Sequence, residues 1–270
     1  MPFIQIVVLS VVQGITEFLP ISSSGHLILV PLLTGWPDQG LAMDVAVHVG
    51  TLAAVLLYFW RDVWRMIVGL VRLAAGKRDR GAILVWYLIL GTIPALIVGY
   101  GVEHYVGDAL RRMEVVAWSM VGFAIVLWFA DRYGLTILRL EHMRASTALI
   151  IGVCQCIAFI PGTSRSGITM VAARVMGFER AEAARFSFLL SIPAISAAGL
   201  WEGMKLYQSG TAQAVHDAAL AAGLSAATGV VVIAGLMAWL RRATFAPFVI
   251  YRLLLGAGLL AIVYLHVPLR

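Results

Sequence analysis

A group of polar residues interrupts the first long apolar stretch of this 270-residue chain, between positions 4–12 and 27–33. The polar residues of this group are Gln13, Glu17, Ser22, Ser23, Ser24 and His26. In hydrocarbon every polar group needs a partner, and an ionisable side chain is costly enough to indicate a functional role. Pro20 and Gly25 favour a break in the helix here. The pattern predicts a re-entrant hairpin, in which two short helices and a polar turn bring polar side chains to mid-membrane depth.

Composition places the chain in a membrane. Its residues are 61% hydrophobic and 13% charged, whereas a soluble domain is about one-quarter charged. The sequence therefore predicts an all-α integral membrane protein with one domain over residues 1–270. The net charge of +6 does not predict a nucleic-acid partner, because the basic residues lie in short loops between apolar stretches, where they orient a membrane protein.

The other apolar stretches predict six transmembrane helices and a second hairpin. A helix needs roughly 20 mainly apolar residues to cross a bilayer. Six stretches approach that length: 43–60, 83–101, 115–130, 186–201, 220–240 and 245–267. Residues 146–177 repeat the apolar, polar and apolar order of the first hairpin, and they predict a second re-entrant helix-loop-helix hairpin.

The two hairpins belong to an internal repeat. Residues of the first hairpin recur 142 positions later, where Gln13, Ile15, Ser22, Ser24 and Gly25 correspond to Gln155, Ile157, Ser164, Ser166 and Gly167. Each half contains one hairpin and three spans, so an odd number of crossings gives the halves opposite orientations. The sequence thus predicts an inverted-topology repeat with halves at about 1–135 and 136–270.

Loop charge predicts the orientation. Most Lys and Arg residues lie in four predicted loops on one side of the membrane: 61–81, 131–145, 178–185 and 241–242. By the positive-inside rule this side is cytoplasmic. The first hairpin then enters from the outer face and the second from the cytoplasmic face. Their tips are predicted to meet near the midplane, which would bring Glu17, Ser22–Ser24 and His26 beside Ser164, Arg165 and Ser166.

The polar residues at the two tips predict a phosphate cradle. The planar fork of a guanidinium suits carboxylate and phosphate. Glycines permit turns whose backbone N–H groups bind anions, and the positive ends of the following helices add to this. The predicted phosphate-binding residues are Ser22, Ser24, Gly25, Gly162, Ser164, Arg165, Ser166, Gly167 and Thr169.

Metal binding and catalysis are predicted for the first hairpin. Gln13 and Glu17 are spaced i, i+4 and share a helix face, and such oxygen ligands suit a hard divalent cation that bridges phosphate oxygens. An imidazole such as that of His26 suits proton transfer near neutrality, and one of Ser22–Ser24 is a candidate nucleophile. Structural alternatives stay open: a Glu17–Arg165 ion pair that only locks the hairpins, serines that cap helices, and a packed His26.

These motifs resemble those of a known family. The pattern Q-G-x-T-E-F-L-P-x-S-S-S-G-H, followed by P-G-T-S-R-S-G-x-T, is similar to that of the undecaprenyl-diphosphate phosphatases, also called bacitracin-resistance proteins. The similarity extends to residues 43–51 and 185–193 and covers nearly the whole chain. The resemblance implies a bacterial plasma (inner) membrane enzyme that hydrolyses a polyprenyl diphosphate to the monophosphate, stimulated by Mg²⁺ or Ca²⁺. It also implies recycling of the carrier lipid for peptidoglycan synthesis, bacitracin resistance and a site open to the outer side.

The family motifs transfer to this chain residue by residue. Gln13 and Glu17 match its (Glu/Gln)-x-x-x-Glu motif; the matching residues of the two turns are Ser22, Ser23, His26, Ser164, Arg165 and Thr169. A Gln at position 13 weakens a two-carboxylate metal site, and Ser24 stands where many relatives have Thr. The resulting hypothesis is that Arg165 and loop amides hold the diphosphate, Glu17 anchors a metal, Ser23 attacks phosphorus and His26 shuttles the proton. A His26 nucleophile or an activated water stays open.

Two other functions compete with hydrolysis. Inverted repeats with broken helices are also typical of transporters, so a polyprenyl-phosphate flippase is the alternative. An intramembrane serine protease would explain neither Glu17 nor Arg165. The expected partners are the lipid substrate and the bilayer, and a homodimer is left open. We interpret His48 as structural and residues 61–80 as a solvated cytoplasmic loop.

Overall fold

The computed structural model describes residues 1–105, 110, 112–209 and 211–265. These ranges form eleven α-helices and contain no strand, only one isolated bridge between Leu138 and Phe178. The helices are α1 Phe3–Thr16, α2 Ser23–Thr34, α3 Leu41–Tyr58, α4 Trp60–Ala74, α5 Arg80–Tyr105, α6 Met113–Tyr133, α7 Ala145–Gln155, α8 Arg165–Val175, α9 Arg180–Ser209, α10 Ala212–Leu240 and α11 Ala246–Tyr264.

Five helices of the described chain are long and apolar enough to cross a membrane. They are Leu41–Tyr58, Arg80–Val102, Met113–Tyr133, Ala212–Leu240 and Ala246–Tyr264. The sixth predicted span, 186–201, lies within α9, which is not among these five. The chain is thus all-helical with several long apolar helices, as the sequence predicts for an integral membrane protein.

The predicted loop at 61–81 is wrong over most of its length, because residues Trp60–Ala74 form α4. A Cβ atom added to Gly69 would lie 2.4 Å from the backbone nitrogen of Ala82, so α4 and the start of α5 pack backbone to backbone. The arginines that suggested a loop lie on a helix whose other faces are apolar. The helical spacing of the apolar residues, rather than the number of charged residues, explains why this segment forms a helix.

Four short helices form the two hairpins. Helices α1 and α2 have 14 and 12 residues and are separated by the break 17–22. Helices α7 and α8 have 11 residues each, and the break between them, 156–164, begins with a 3-10 turn at Cys156–Phe159. At 1.5 Å per residue, even 14 residues span only about 21 Å, less than the hydrocarbon core of about 30 Å. The helix-break-helix form of both hairpins is confirmed.

Small residues bring the long helices close around the hairpins. A Cβ on Gly50 of α3 would lie 2.2 Å from the carbonyl oxygen of Ala222 on α10, and Ser225 Oγ donates to Val47 O at 2.9 Å across the same interface. Close approach through small residues is how membrane helices gain packing contacts. The first break is anchored in this core by Phe18, whose fully buried ring meets the edge of Phe188 from α9 at 5.3 Å.

Candidate active site

Both breaks end in the same turn, a serine with positive φ that caps the following helix. Ser22 and Ser164 are the N-caps of α2 and α8, with φ of 74° and 76°. The Ser22 hydroxyl accepts a hydrogen bond from Gly25 N at 3.3 Å, and that of Ser164 accepts one from Gly167 N at 3.1 Å. A left-handed conformation is uncommon outside glycine, and its retention at two equivalent turns indicates a functional constraint. Ser22 thus caps α2, as the capping alternative for Ser22–Ser24 predicted, and Ser164 caps α8 in the same way.

A single carboxylate joins the two hairpins. Glu17, which is 5% exposed, accepts a hydrogen bond from Arg165 Nη2 at 2.7 Å through Oε1. Its other oxygen, Oε2, accepts from Ser23 Oγ at 2.6 Å and from Gln13 Nε2 at 3.0 Å. Ser166 Oγ donates to the backbone carbonyl of Glu17 at 2.9 Å. The predicted meeting of the two tips is confirmed for these residues.

Helix α3 adds a residue that the sequence argument placed outside the site. His48 Nε2 lies 3.5 Å from Glu17 Oε2. His48 Nδ1 is 2.7 Å from the Asp44 carbonyl, and because a carbonyl only accepts, Nδ1 carries the hydrogen. The interpretation of His48 as merely structural misses this contact. An imidazole in an otherwise apolar span was the available signal.

His26 points toward α11. Its Nδ1 lies 2.7 Å from the Ser22 carbonyl, so Nδ1 donates and Nε2 is left to accept. Nε2 is 2.6 Å from the Tyr251 hydroxyl, and the two rings are nearly parallel with centroids 5.8 Å apart. Among the described residues, no hydrogen bond joins His26 to Glu17 or Arg165. The Ser23 hydroxyl donates to Glu17 Oε2 instead, so its hydrogen-bond partner is the carboxylate and not the imidazole to which sequence reasoning assigned its proton.

Two buried polar atoms beside Glu17 lack hydrogen-bond partners among the described residues: Arg165 Nη1 and Gln13 Oε1. Unsatisfied buried groups are costly and rare in native folds. Arg165 Nη1 is a spare donor of the kind a phosphate oxygen needs. Gln13 Oε1 is a spare acceptor beside a carboxylate, which is the chemistry that a hard cation needs.

The donor set fits a cation only as part of a larger site. Within the described ranges, no group of three or more His, Cys, Asp or Glu side chains is placed to hold a metal ion. Glu17 and Gln13 offer oxygen ligands, and Mg²⁺ commonly combines one or two carboxylates with substrate phosphates. The residues present therefore fit a cation that takes some of its ligands from the protein and the others from a bound diphosphate.

Thr169 and Gly162, which were predicted to bind phosphate, contact neighbouring helices in the structure. Thr169 Oγ1 is 2.7 Å from Ser187 Oγ and donates to the Arg165 carbonyl at 2.9 Å, so it occupies the buried contact between α8 and α9. Gly162 has φ of +93°, and its carbonyl accepts from Arg252 Nη2 at 2.8 Å. The hydroxyls of Ser24 and Ser166 lie 3.3 and 3.2 Å from the capping hydroxyls of their own turns.

Sequence reasoning missed Tyr251 and Arg252 of α11. Arg252 is 1% exposed. The available signal was an arginine inside the last predicted span, because an intramembrane charge is a functional candidate by default.

Comparison with known proteins agrees with the resemblance seen in the motifs. The family model described as "Bacitracin resistance protein BacA" matches residues 6–258. "Undecaprenyl-diphosphatase 1" of Rhodospirillum rubrum is 50% identical, over 98% of this chain and 96% of that protein. The undecaprenyl-diphosphatases of Ruegeria pomeroyi and Hahella chejuensis are each 48% identical over 98% of this chain, and the matches cover 100% and 99% of those proteins.

Proposed function

This chain belongs to the family of bacitracin resistance protein BacA, and from that premise we propose that it is an undecaprenyl-diphosphatase. It hydrolyses undecaprenyl diphosphate to the monophosphate and phosphate, which recycles the carrier lipid for cell-wall synthesis and confers bacitracin resistance. The observation that carries the proposal is the Glu17–Arg165 contact, which joins the two hairpins through residues 148 positions apart in sequence. It gathers a carboxylate, a serine and a guanidinium with a spare donor at one point.

Both hairpins contribute donors for substrate binding. Arg165 keeps Nη2 on Glu17, and its unpartnered Nη1 donates to a phosphate oxygen. The first N–H groups of α2 and α8 have no partners within their own helices and carry the positive end of each dipole. The two helix starts thus surround the phosphate with donors, as at other helix N-terminal anion sites.

Ser23 is the nucleophile of this proposal, and Glu17 takes its proton. The Ser23 hydroxyl already donates to Glu17 Oε2 at 2.6 Å, which satisfies the geometric requirement for a base. As the Oγ–P bond forms at the terminal phosphorus, the bond from phosphorus to the bridging oxygen breaks, and undecaprenyl monophosphate leaves with that electron pair. Water then cleaves the phosphoserine, which releases phosphate and restores Ser23.

His26 serves the second step in this scheme. Its Nε2 is hydrogen-bonded to Tyr251, whereas Ser23 donates to Glu17, so this scheme assigns the Ser23 proton to Glu17 instead of His26. Once its hydrogen bond to the Tyr251 hydroxyl breaks, Nε2 can accept a proton from the water that attacks the phosphoserine. The Nδ1–H bond to the Ser22 carbonyl holds the ring in the required tautomer.

Mg²⁺ or Ca²⁺ is the proposed cofactor, with Glu17 and Gln13 Oε1 as its protein ligands. When bound, the cation neutralises charge on the phosphate oxygens. Because only one of these ligands is a carboxylate, we expect the cation to bind together with the diphosphate.

The proposed layout is a six-span protein with two re-entrant hairpins and inverted halves at about 1–135 and 136–270, in the bacterial inner membrane. Short hairpin helices, the 142-residue offset between equivalent turns and the basic loops support it. Hairpin 1 then enters from the periplasmic side, so the site opens there.

Phosphate release by purified protein tests the function. Wild type in detergent should release phosphate from undecaprenyl diphosphate in the presence of Mg²⁺, and Glu17→Gln should abolish turnover because the base is lost. Wild-type turnover in the Glu17 variant would contradict the assignment. A flippase would move labelled lipid across liposomes and release no phosphate.

A further inference from the structure

All five N–H donors of one buried arginine are used by backbone carbonyls. Arg252 of α11 is 1% exposed. Its guanidinium donates over 2.8–3.2 Å to the carbonyls of Ser119, Met120, Pro20, Gly162 and Thr163. A guanidinium has five N–H groups in a rigid fork, so this side chain is fully occupied by main-chain oxygens.

These carbonyls come from three separate segments. Pro20 lies in the first break, Gly162 and Thr163 lie in the second, and the other two lie on α6. Nη1 donates to both breaks at once, to Pro20 O at 3.2 Å and to Thr163 O at 3.0 Å. Because the fork is rigid, Arg252 sets the distance between the two breaks just before their capping serines.

The charge of Arg252 has no carboxylate partner in the salt bridges of the described residues. A buried charge is costly unless it is paired or hydrogen-bonded, and here carbonyl dipoles alone solvate it. The positive potential that remains lies behind the two helix starts. Under the proposed function, this is where the anionic diphosphate binds.

A second buried arginine makes the same kind of contacts away from the site. Arg174 is 0% exposed and donates to the carbonyls of Leu135, Gly134 and Phe178. It ties the end of α8 to the segment after α6, and its Nε is 3.8 Å from Asp131 Oδ1. Arg174 is therefore a control that is equally buried and also donates to backbone carbonyls, although it lies near Asp131, and it contacts neither break.

We propose that Arg252 is a positioning residue of the reaction. It holds the two breaks at the separation at which Glu17 and Ser23 from one hairpin and Arg165 from the other act on the same diphosphate. Arg252 does not touch the substrate, since its donors are consumed by the backbone. This inference rests on the proposed function.

Arg252→Lys and Arg174→Lys form the decisive pair. A lysine ammonium presents three donors from one point and cannot hold carbonyls of three segments in the arginine geometry. Misplacement of reacting groups by 1 Å costs about 100-fold in rate. We therefore expect R252K to lower kcat for undecaprenyl diphosphate by about 100-fold and to change KM by less than about threefold. The kcat of R174K should stay close to wild type. The thermal midpoint should fall by a similar amount in both variants.

A second pair tests the same contact without changing any charge. A Cβ at Gly162 would lie 2.6 Å from Val116 O and displace the second break, whereas a Cβ at Gly177 would meet nothing closer than 3.7 Å. Both residues have the same strained φ, +93° and +94°. Gly162→Ala should lower kcat by about tenfold or more, and Gly177→Ala should leave it within about twofold; this pair decides the matter if R252K does not fold.

The experiments distinguish failure of the positioning role from failure of the proposed function. Wild-type kcat in folded R252K would overturn the positioning role, as would equal kcat losses in R252K and R174K that follow their stability. An inactive wild-type protein would instead overturn the proposed function, and this inference with it.

Discussion

At the scale of single residues, the site is organised by equivalent positions of the two repeats. Ser23 and Arg165 occupy the same place in the turns Ser22–Gly25 and Ser164–Gly167, 142 positions apart. The two side chains reach the same carboxylate, one at each oxygen of Glu17. The same backbone turn occurs twice, and the difference at one position places a serine in one copy and an arginine in the other, which the proposed function uses as nucleophile and phosphate ligand.

The first prediction concerns the nucleophile. Ser23→Ala removes the hydroxyl that donates to Glu17 Oε2, so phosphate release should fall by more than about 1000-fold. Ser10→Ala is the control, because Ser10 is a fully buried serine of the adjacent helix whose hydroxyl only donates to Ile6 O. Substantial turnover in S23A would favour direct attack by water.

The second prediction concerns the guanidinium. Arg165→Lys keeps the charge but cannot hold Glu17 and donate to phosphate with the same planar fork. We expect kcat/KM to fall by about 10- to 100-fold, which corresponds to the strength of about 1.5–3 kcal/mol for a charge-assisted hydrogen bond. Steady-state kinetics with R165K would contradict the assignment if kcat/KM stayed at the wild-type value.

The third prediction concerns the metal. Gln13→Glu places a second carboxylate one helical turn from Glu17, and more ligand charge raises cation affinity. The Mg²⁺ concentration for half-maximal phosphate release should fall by about tenfold. Direct titration of Mn²⁺ binding by electron paramagnetic resonance, with substrate present, gives a readout that does not depend on turnover. An unchanged Mg²⁺ requirement in Q13E would place the cation elsewhere.

At the scale of elements, short helices and close backbone contacts place these residues. Helices α2 and α8 begin inside the protein, at the buried N-cap residues Ser22 and Ser164, so their first N–H groups face the site rather than water. Helix α3 places His48 beside Glu17, and two residues further along Gly50 lets the same helix pack closely against α10. The packing of the helices around the site thus depends on small residues as well as on polar ones.

A matched pair of glycine variants tests the α3–α10 contact. Gly50→Ala would place a Cβ 2.2 Å from Ala222 O, whereas Gly223 on α10 has nothing within 4 Å of an added Cβ. Overpacking of this kind costs about 1–3 kcal/mol. The thermal midpoint of purified G50A should therefore fall while that of G223A does not, and equal midpoints would contradict the tight contact.

At the scale of the whole molecule, the proposed inverted repeat accounts for a site whose residues come from both halves of the chain. The proposed topology places the segment before α3 outside the cell and the segment after α4 inside. Cysteines introduced at the exposed positions Pro37 and Lys77, in a Cys154→Ser/Cys156→Ser background, should respond differently to an impermeant maleimide. Labelling of P37C but not K77C in intact cells is expected, and the reverse result would invert the topology.

Sequence alone determined the all-helical class of the fold and the contact between Glu17 and Arg165. Polar residues inside an apolar stretch cannot be left unsatisfied in lipid, so the motif around Glu17 predicted a broken helix, and its recurrence predicted the second hairpin. Both helix-break-helix units are present, and Glu17 meets Arg165 as expected.

Only the tertiary structure decided which partners each polar group takes. It turned His26 toward Tyr251, brought His48 to Glu17, made α4 a packed helix and placed Arg252 between the two breaks. The physical reason is that periodicity and motif spacing report whether a residue must be buried or satisfied, whereas its partner depends on contacts between segments far apart in the chain. Arg252 is the clearest case, because the carbonyls it binds carry no signature in the sequence at all.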